Sequence, residues 1–133
     1  MTMHNPYKAY QQNSVIQSTP GELTLMLYNG CLKFLNQAKK AIEIKDIEMK
    51  NTNIQKAQNI IRELMITLDM SHSVSESMMA LYDYMLNLLV EANIHNDISK
   101  IDEVSGLTTE FRDTWKQVIQ INRQKQYDQT GAI

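Results

Sequence analysis

Apolar residues recur at helical spacing in the segment that begins at Pro20, but they fall on two sides of the predicted helix. One stripe consists of Leu23, Leu27, Cys31 and Phe34, and a second stripe consists of Leu25, Tyr28, Leu32 and Leu35. A surface helix in a small bundle needs only one apolar stripe. The segment therefore predicts a helix from Pro20 to about Ile44 with more apolar surface than one neighbour covers.

Three further segments show the same helical periodicity. The second follows Asp46, a predicted cap, and its seam consists of Ile47, Ile54, Ile61 and Leu68 with Ala57 and Leu64 between them. The third spans about Val74 to Asn93, and its seam consists of Val74, Met78, Leu81, Met85, Leu88 and Ala92. The fourth is capped by Asp97, and its face consists of Ile101, Val104, Thr108, Phe111, Trp115 and Val118. Short connections between such segments predict an all-α, antiparallel, up-and-down four-helix bundle.

The two ends of the chain lack this periodicity. Residues 1–19 contain Pro6 and a run of Gln, Asn and Ser, which predicts an extended N-terminal arm. The closing stretch QKQYDQTGAI carries no apolar stripe. We expect an arm over residues 1–19, the bundle over residues 20–125 and a frayed C-terminal tail over residues 126–133.

Composition excludes several classes of protein. The chain has 133 residues, which suits one domain, and 13 basic and 15 acidic residues give a net charge of −2. No block of Lys and Arg is present, so nucleic acid is not an expected partner. The sequence shows no apolar run of roughly 20 residues and no hydrophobic signal core, which predicts no membrane insertion and a cytoplasmic location. The single cysteine, Cys31, fits buried packing.

Candidate catalytic chemistry is sparse. Glu91 and His95 share a helix face, but a di-iron bundle needs Glu-x-x-His pairs and further carboxylates that the sequence lacks. The sequence also lacks a glycine-rich phosphate-binding loop, the Cys and His spacing of a zinc site, and the nucleophile elbow of a hydrolase. We therefore expect no enzyme activity, no catalytic residue, no metal and no cofactor. The alternative is a histidine phosphotransfer domain or another helical signalling or adaptor module, although His72 and His95 fall near predicted helix ends.

Surplus apolar surface is the main feature left to explain. The chain has 9 methionines, a residue that fills gaps in cores and also lines surfaces that accept helical partners. In the third segment, the residues Tyr82, Leu86 and Leu89 lie outside the seam. They form a second apolar face, like the second stripe of the first segment. Two helices with surplus apolar faces predict a groove for a partner helix.

Four stretches carry a likeness to a known family. They are NPYKAYQQNSVIQSTPGELTLMLYNGCLKFLNQA, IIRELMITLD, LYDYMLNLLVEANIHND and IDEVSGLTTEFRDTWKQV. Together they resemble the flagellar secretion chaperone FliS family from about Tyr7 to Val118. The resemblance implies a cytosolic four-helix chaperone without ATPase activity. Its partners would be the C-terminal region of flagellin, whose premature polymerisation it prevents, and a component of the flagellar type III export gate, to which it delivers flagellin.

The resemblance also implies binding residues. Tyr7 and Tyr10 match arm positions tied to client binding, and Val15 and Ile16 are further apolar residues of the arm. The groove for the client or the arm is predicted to contain Leu25, Tyr28, Leu32, Leu35, Tyr82, Leu86 and Leu89. Burial in the bundle core is the alternative for this set, whereas Phe111 and Trp115 are expected in the core. Whether the free protein is a monomer or a homodimer stays open.

Overall fold

The computed structural model describes the backbone of residues 20–131 and the side chains of residues 21–128. This part of the chain folds into four helices without strands. The helices are α1 (Pro20–Glu43), α2 (Ile47–Thr67), α3 (Ser73–His95) and α4 (Ile98–Gly131). The all-α fold class predicted from the periodicity is confirmed.

Each helix packs against two neighbours. Helix α1 contacts α2 and α4, and α3 also contacts α2 and α4, so the four form a closed ring of neighbours. Because α1 has two neighbours, it buries a wide face that includes residues of both predicted stripes. Leu27 and Cys31 of the first stripe are buried, and so are Tyr28 and Leu35 of the second. The excess apolar surface on α1 is thus largely core surface.

Two predicted helix caps are present in the structure. Asp46 accepts a hydrogen bond from the Met49 backbone N–H at 3.0 Å, and Asp97 accepts one from the Ser99 backbone N–H at 3.0 Å. The hydroxyl of Ser99 also donates to Asp97, and this bond is the largest cause that lowers the pKa of Asp97 below its ordinary value of 3.8. Short polar side chains of this kind satisfy N–H groups that the first helical turn leaves unpaired.

Helix α4 extends past residue 125, where the sequence predicts a frayed tail. It runs to Gly131, and Gln124 donates to Asp128 one turn further along at 3.0 Å. Gln, Lys and Asp are compatible with a helix interior, and the segment lacks proline. At 1.5 Å per residue, the 34 residues of α4 span about 51 Å, against about 36 Å for the 24 residues of α1. The last turns of α4 therefore project beyond the bundle.

The predicted seams are buried only along part of their length. Met85, Leu88 and Ala92 of α3 are in the core, but Val74 is 58% exposed and Leu81 is 38% exposed at the other half of the same seam. In α4, Ile101, Val104 and Thr108 are buried, whereas the residues from Phe111 to Val118 on the same face are only partly buried. The bundle is therefore closed at one end and open between α3 and α4 at the other.

Candidate binding groove

An apolar groove occupies the open end of the bundle. It has a volume of about 440 Å³, and we call it the α3–α4 groove. Its lining consists of Val74, Met78 and Leu81 from α3, Leu107, Glu110, Phe111, Thr114, Trp115 and Val118 from α4, and Tyr28 from α1. Glu110 is the single ionisable carboxylate in this lining, so the surface offers mainly apolar contacts. Apolar grooves between helices can accept the apolar face of a partner helix.

Side-chain size explains why the groove is open at this end. At the closed end, small or short side chains such as Ala92 and Val104 let α3 and α4 approach. Polar contacts tie the two helices together there, since Lys100 pairs with Glu91 at 2.9 Å and the Tyr84 hydroxyl donates to Glu103. At the open end, the helices instead face each other with methionine, phenylalanine and tryptophan side chains. These bulky groups line a trough that two helices alone do not fill.

An aromatic cluster includes two of the groove residues, Tyr28 and Phe111. The rings of Tyr28 and Phe111 are nearly parallel, with 4° between their planes and 6.0 Å between their centroids. The Tyr82 ring lies 5.2 Å from Phe111 at 39°. Beneath the rings, the hydroxyls of Tyr28 and Tyr82 are hydrogen-bonded at 2.7 Å. These contacts join α1, α3 and α4.

A second cavity adjoins the groove. It has a volume of about 330 Å³ and shares Tyr28, Val74, Met78 and Trp115 with the groove. We call it the adjoining cavity. Its other walls are more polar and consist of Thr24, Leu64, Thr67, Leu68, Asp69, His72, Ser75 and Tyr82. An occupant that extends from the groove into this cavity passes from an apolar to a mixed environment.

The beginning of α1 is fixed beside the groove. The indole N–H of Trp115 donates to the Gly21 carbonyl oxygen at 2.7 Å, and Arg123 forms an ion pair with Glu22. Residues 1–19 precede this point in the chain. Tyr7, Tyr10, Val15 and Ile16, the predicted binding residues of the arm, lie outside the described residues.

The other predicted groove residues divide into two groups. Tyr28, Leu35, Tyr82 and Leu89 are buried, with exposures of 2%, 0%, 1% and 0%. Leu35 and Leu89 belong to the core cluster, which is the alternative that the sequence left open for this set, because α1 and α3 each bury a face wide enough for two neighbours. Tyr28 and Tyr82 are also buried, but both line the adjoining cavity. Leu25, Leu32 and Leu86 are half-buried.

Several groove residues were assigned to the core from the sequence. Val74, Met78 and Leu81 continue the heptad-like seam of α3, and Phe111 and Trp115 continue that of α4, so periodicity predicts them as buried. The structure leaves them partly open. Side-chain size was the signal in the sequence that could have identified the groove. The aromatic and methionine residues of both seams lie at the same end of the antiparallel pair α3 and α4.

Other ionisable residues do not form a competing site. His72 lies at the N-cap position of α3 near Asp69, and His95 ends α3. Among residues 21–128, no three His, Cys, Asp or Glu side chains come together as a metal site would require. Burial raises the pKa of the Cys31 thiol to about 12, against an opposing hydrogen bond with Thr108. None of the helices in the described part of the chain is long and apolar enough to cross a membrane.

Comparison with known proteins places this chain in a family. Residues 3–122 match the family model described as flagellar protein FliS. The flagellar secretion chaperone FliS of Bacillus subtilis (strain 168) is 57% identical over 131 residues, which cover 98% of each chain. That of Salmonella typhimurium is 35% identical over 118 residues, which cover 84% of this chain and 87% of the relative.

A solved structure of low sequence identity has a similar fold. A crystal structure described as a flagellar chaperone from bacteria superposes with a TM-score of 0.71 at 18% identity. The superposition covers 86% of this chain and 95% of the other. The family-model match over residues 3–122 and the 57% identity to a relative over nearly the whole chain show that this chain belongs to the FliS family of flagellar proteins.

Proposed function

We propose that this protein is a cytoplasmic export chaperone that binds the C-terminal region of flagellin in the α3–α4 groove. By covering that region, it prevents premature polymerisation of flagellin. It then delivers flagellin to a gate component of the flagellar type III export apparatus. The observation that carries the proposal is the open apolar groove of about 440 Å³ in a member of the FliS family.

The chemistry of the groove suits such a client. A polypeptide whose assembly surface consists of apolar helical stripes associates with itself unless another apolar surface competes. The α3–α4 groove supplies that surface through Val74, Met78 and Leu81 on one wall and Trp115 on the other. A client that folds on binding gives up conformational entropy, so a long contact path is needed for useful affinity.

The arm over residues 1–19 has a place in this proposal. Trp115 holds Gly21, in the first turn of α1, beside the groove. When the apolar residues Tyr7, Tyr10, Val15 and Ile16 of the arm occupy the groove, the apparent affinity for the client falls by the fraction of molecules in which the groove is open. Removal of residues 1–17 then changes the affinity for flagellin or promotes self-association.

Calorimetric titration with a peptide from the C-terminal helical region of flagellin tests the proposal. We expect saturable binding with a negative heat-capacity change, the mark of buried apolar surface. The variant Val74→Gln/Leu81→Gln changes two partly exposed groove residues and should weaken binding roughly tenfold, because burial of the parts of the two side chains that are still exposed contributes about 1.5 kcal/mol in total.

A matched control lies on other faces of the same helix. Val90 and Ile94 are 46% and 68% exposed and line neither the groove nor the adjoining cavity. The variant Val90→Gln/Ile94→Gln should bind the peptide as the unmodified protein does. Equal affinity of the groove variant and the control variant would contradict the placement of the client, and lack of binding by the folded protein would contradict the chaperone proposal.

A further inference from the structure

Tyr28 and Tyr82 form a buried hydroxyl pair between α1 and α3. Their side chains are 2% and 1% exposed, and their hydroxyl oxygens lie 2.7 Å apart. Burial raises the pKa of both phenols above the ordinary value of 10.0, so both are protonated at neutral pH. The pair therefore carries two O–H hydrogens.

Only one of these hydrogens is used between the two residues. A hydrogen bond between two hydroxyls consumes one hydrogen and leaves the other as a donor. Within the described residues, no further hydrogen-bond acceptor contacts either hydroxyl. Buried polar groups almost always find a partner, so the second hydrogen calls for one.

The two tyrosines that carry the free donor line the adjoining cavity. That cavity is large enough at about 330 Å³ to hold water or a side chain. Two neighbouring hydroxyls in its wall are already engaged, since Thr67 donates to the Leu64 carbonyl and Ser75 donates to the Asp69 carbonyl. The Tyr28–Tyr82 pair is thus a hydroxyl donor of this wall that is available to an occupant.

We propose that the bound client segment places a side-chain oxygen acceptor, from Asn, Gln, Ser or Thr, in the adjoining cavity against the Tyr28–Tyr82 pair. This inference rests on the proposed function and concerns which client side chain the site selects. A helical segment uses its backbone carbonyls internally except in its last turn, so a side chain supplies the acceptor. Apolar anchors in the α3–α4 groove supply affinity, while the acceptor beside them sets register and specificity.

The physical basis of the selection is the cost of an unpaired buried donor. Water accepts the free hydrogen while the cavity is solvated. A client that displaces this water without an acceptor leaves the donor unsatisfied, whereas a client with an acceptor restores the bond. Sites built to form a hydrogen bond reject ligands that lack the matching group for this reason.

The test combines protein variants with peptide variants. In Tyr28→Phe/Tyr82→Phe, the pair is replaced by rings of the same shape, so we expect retained folding and stability close to that of the unmodified protein. Calorimetry should show affinity for the flagellin peptide reduced about 2- to 10-fold, the range for one net hydrogen bond. Each single Phe variant keeps one donor hydrogen and should bind more tightly than the double variant.

Peptide variants give an independent readout on the unmodified protein. Each Asn, Gln, Ser and Thr of the flagellin peptide is replaced in turn by an apolar residue of similar size. One replacement should reduce affinity for the unmodified protein, and the same replacement should have no effect on the double Phe variant, because the interaction is then already absent.

The outcomes separate this inference from the proposed function. If the unmodified protein binds the peptide but the double Phe variant binds it equally well, the acceptor inference is overturned and the chaperone proposal stands. If the double variant does not fold, the peptide variants decide. Unchanged affinity of the unmodified protein for every peptide with a polar replacement would then overturn the inference. If the unmodified protein binds no peptide, the proposed function itself fails.

Discussion

Lys50 is a charged residue that the bundle buries at the end opposite to the groove. It is only 7% exposed, and its Nζ donates to the Asn93 carbonyl at 2.9 Å and to Asn96 Oδ1 at 2.6 Å. These acceptors lie where α3 ends, and Asn96 has a left-handed backbone with a φ of 52°. The last carbonyls of a helix lack internal partners and attract cations. A side chain of α2 thus stabilises the connection between α3 and α4.

Substitution of this lysine should lower stability. Lys50→Met keeps most of the apolar stem but removes both hydrogen bonds, and we expect the free energy of unfolding in urea to fall by about 1 to 3 kcal/mol. Lys116→Met on the exposed surface of α4 is the control and should stay within about 0.5 kcal/mol. Equal unfolding midpoints for Lys50→Met and the unmodified protein would show that the contacts are not stabilising.

The helices themselves follow from local sequence. The caps at Asp46 and Asp97 and the apolar periodicity predicted each start and most ends to within a few residues, because capping and amphipathicity act within one or two helical turns. The length of α4 was underestimated, since a polar sequence without an apolar stripe gives no signal that a helix continues. Propensity alone is compatible with helix there, and the structure extends it to Gly131.

Gly106 is a weak point within α4. Glycine in a helix interior costs about 1 kcal/mol relative to alanine, and a Cβ added at this position meets no atom within 4 Å. We expect Gly106→Ala to raise the free energy of unfolding by about 1 kcal/mol in thermal or urea unfolding. Gly106 is exposed and does not line the groove, so affinity for the client should not change. A loss of stability in this variant would mean that α4 is not a regular helix at this position.

At the scale of the whole molecule, the groove depends on side chains from three helices at once. Periodicity places Val74, Leu81 and Trp115 on the seams that are buried further along α3 and α4, but Val74 and Leu81 are exposed where the seams reach the groove. Whether such a seam closes depends on the size of the residues that meet across α3 and α4, which no single segment specifies. The sequence therefore predicts the fold and the presence of surplus apolar surface, but it leaves open which of these residues, such as Leu35 and Leu89, are buried in the core.

The most direct test of the account uses Trp115, the only tryptophan of the 133-residue chain. Its ring is half-buried in the groove wall. During titration with a tryptophan-free flagellin peptide, we expect its emission to shift to shorter wavelength and its quenching by acrylamide to fall, with saturation at the concentration at which calorimetry saturates. Saturable calorimetric binding that leaves the Trp115 emission and quenching unchanged would contradict the account, because the client would then occupy another surface.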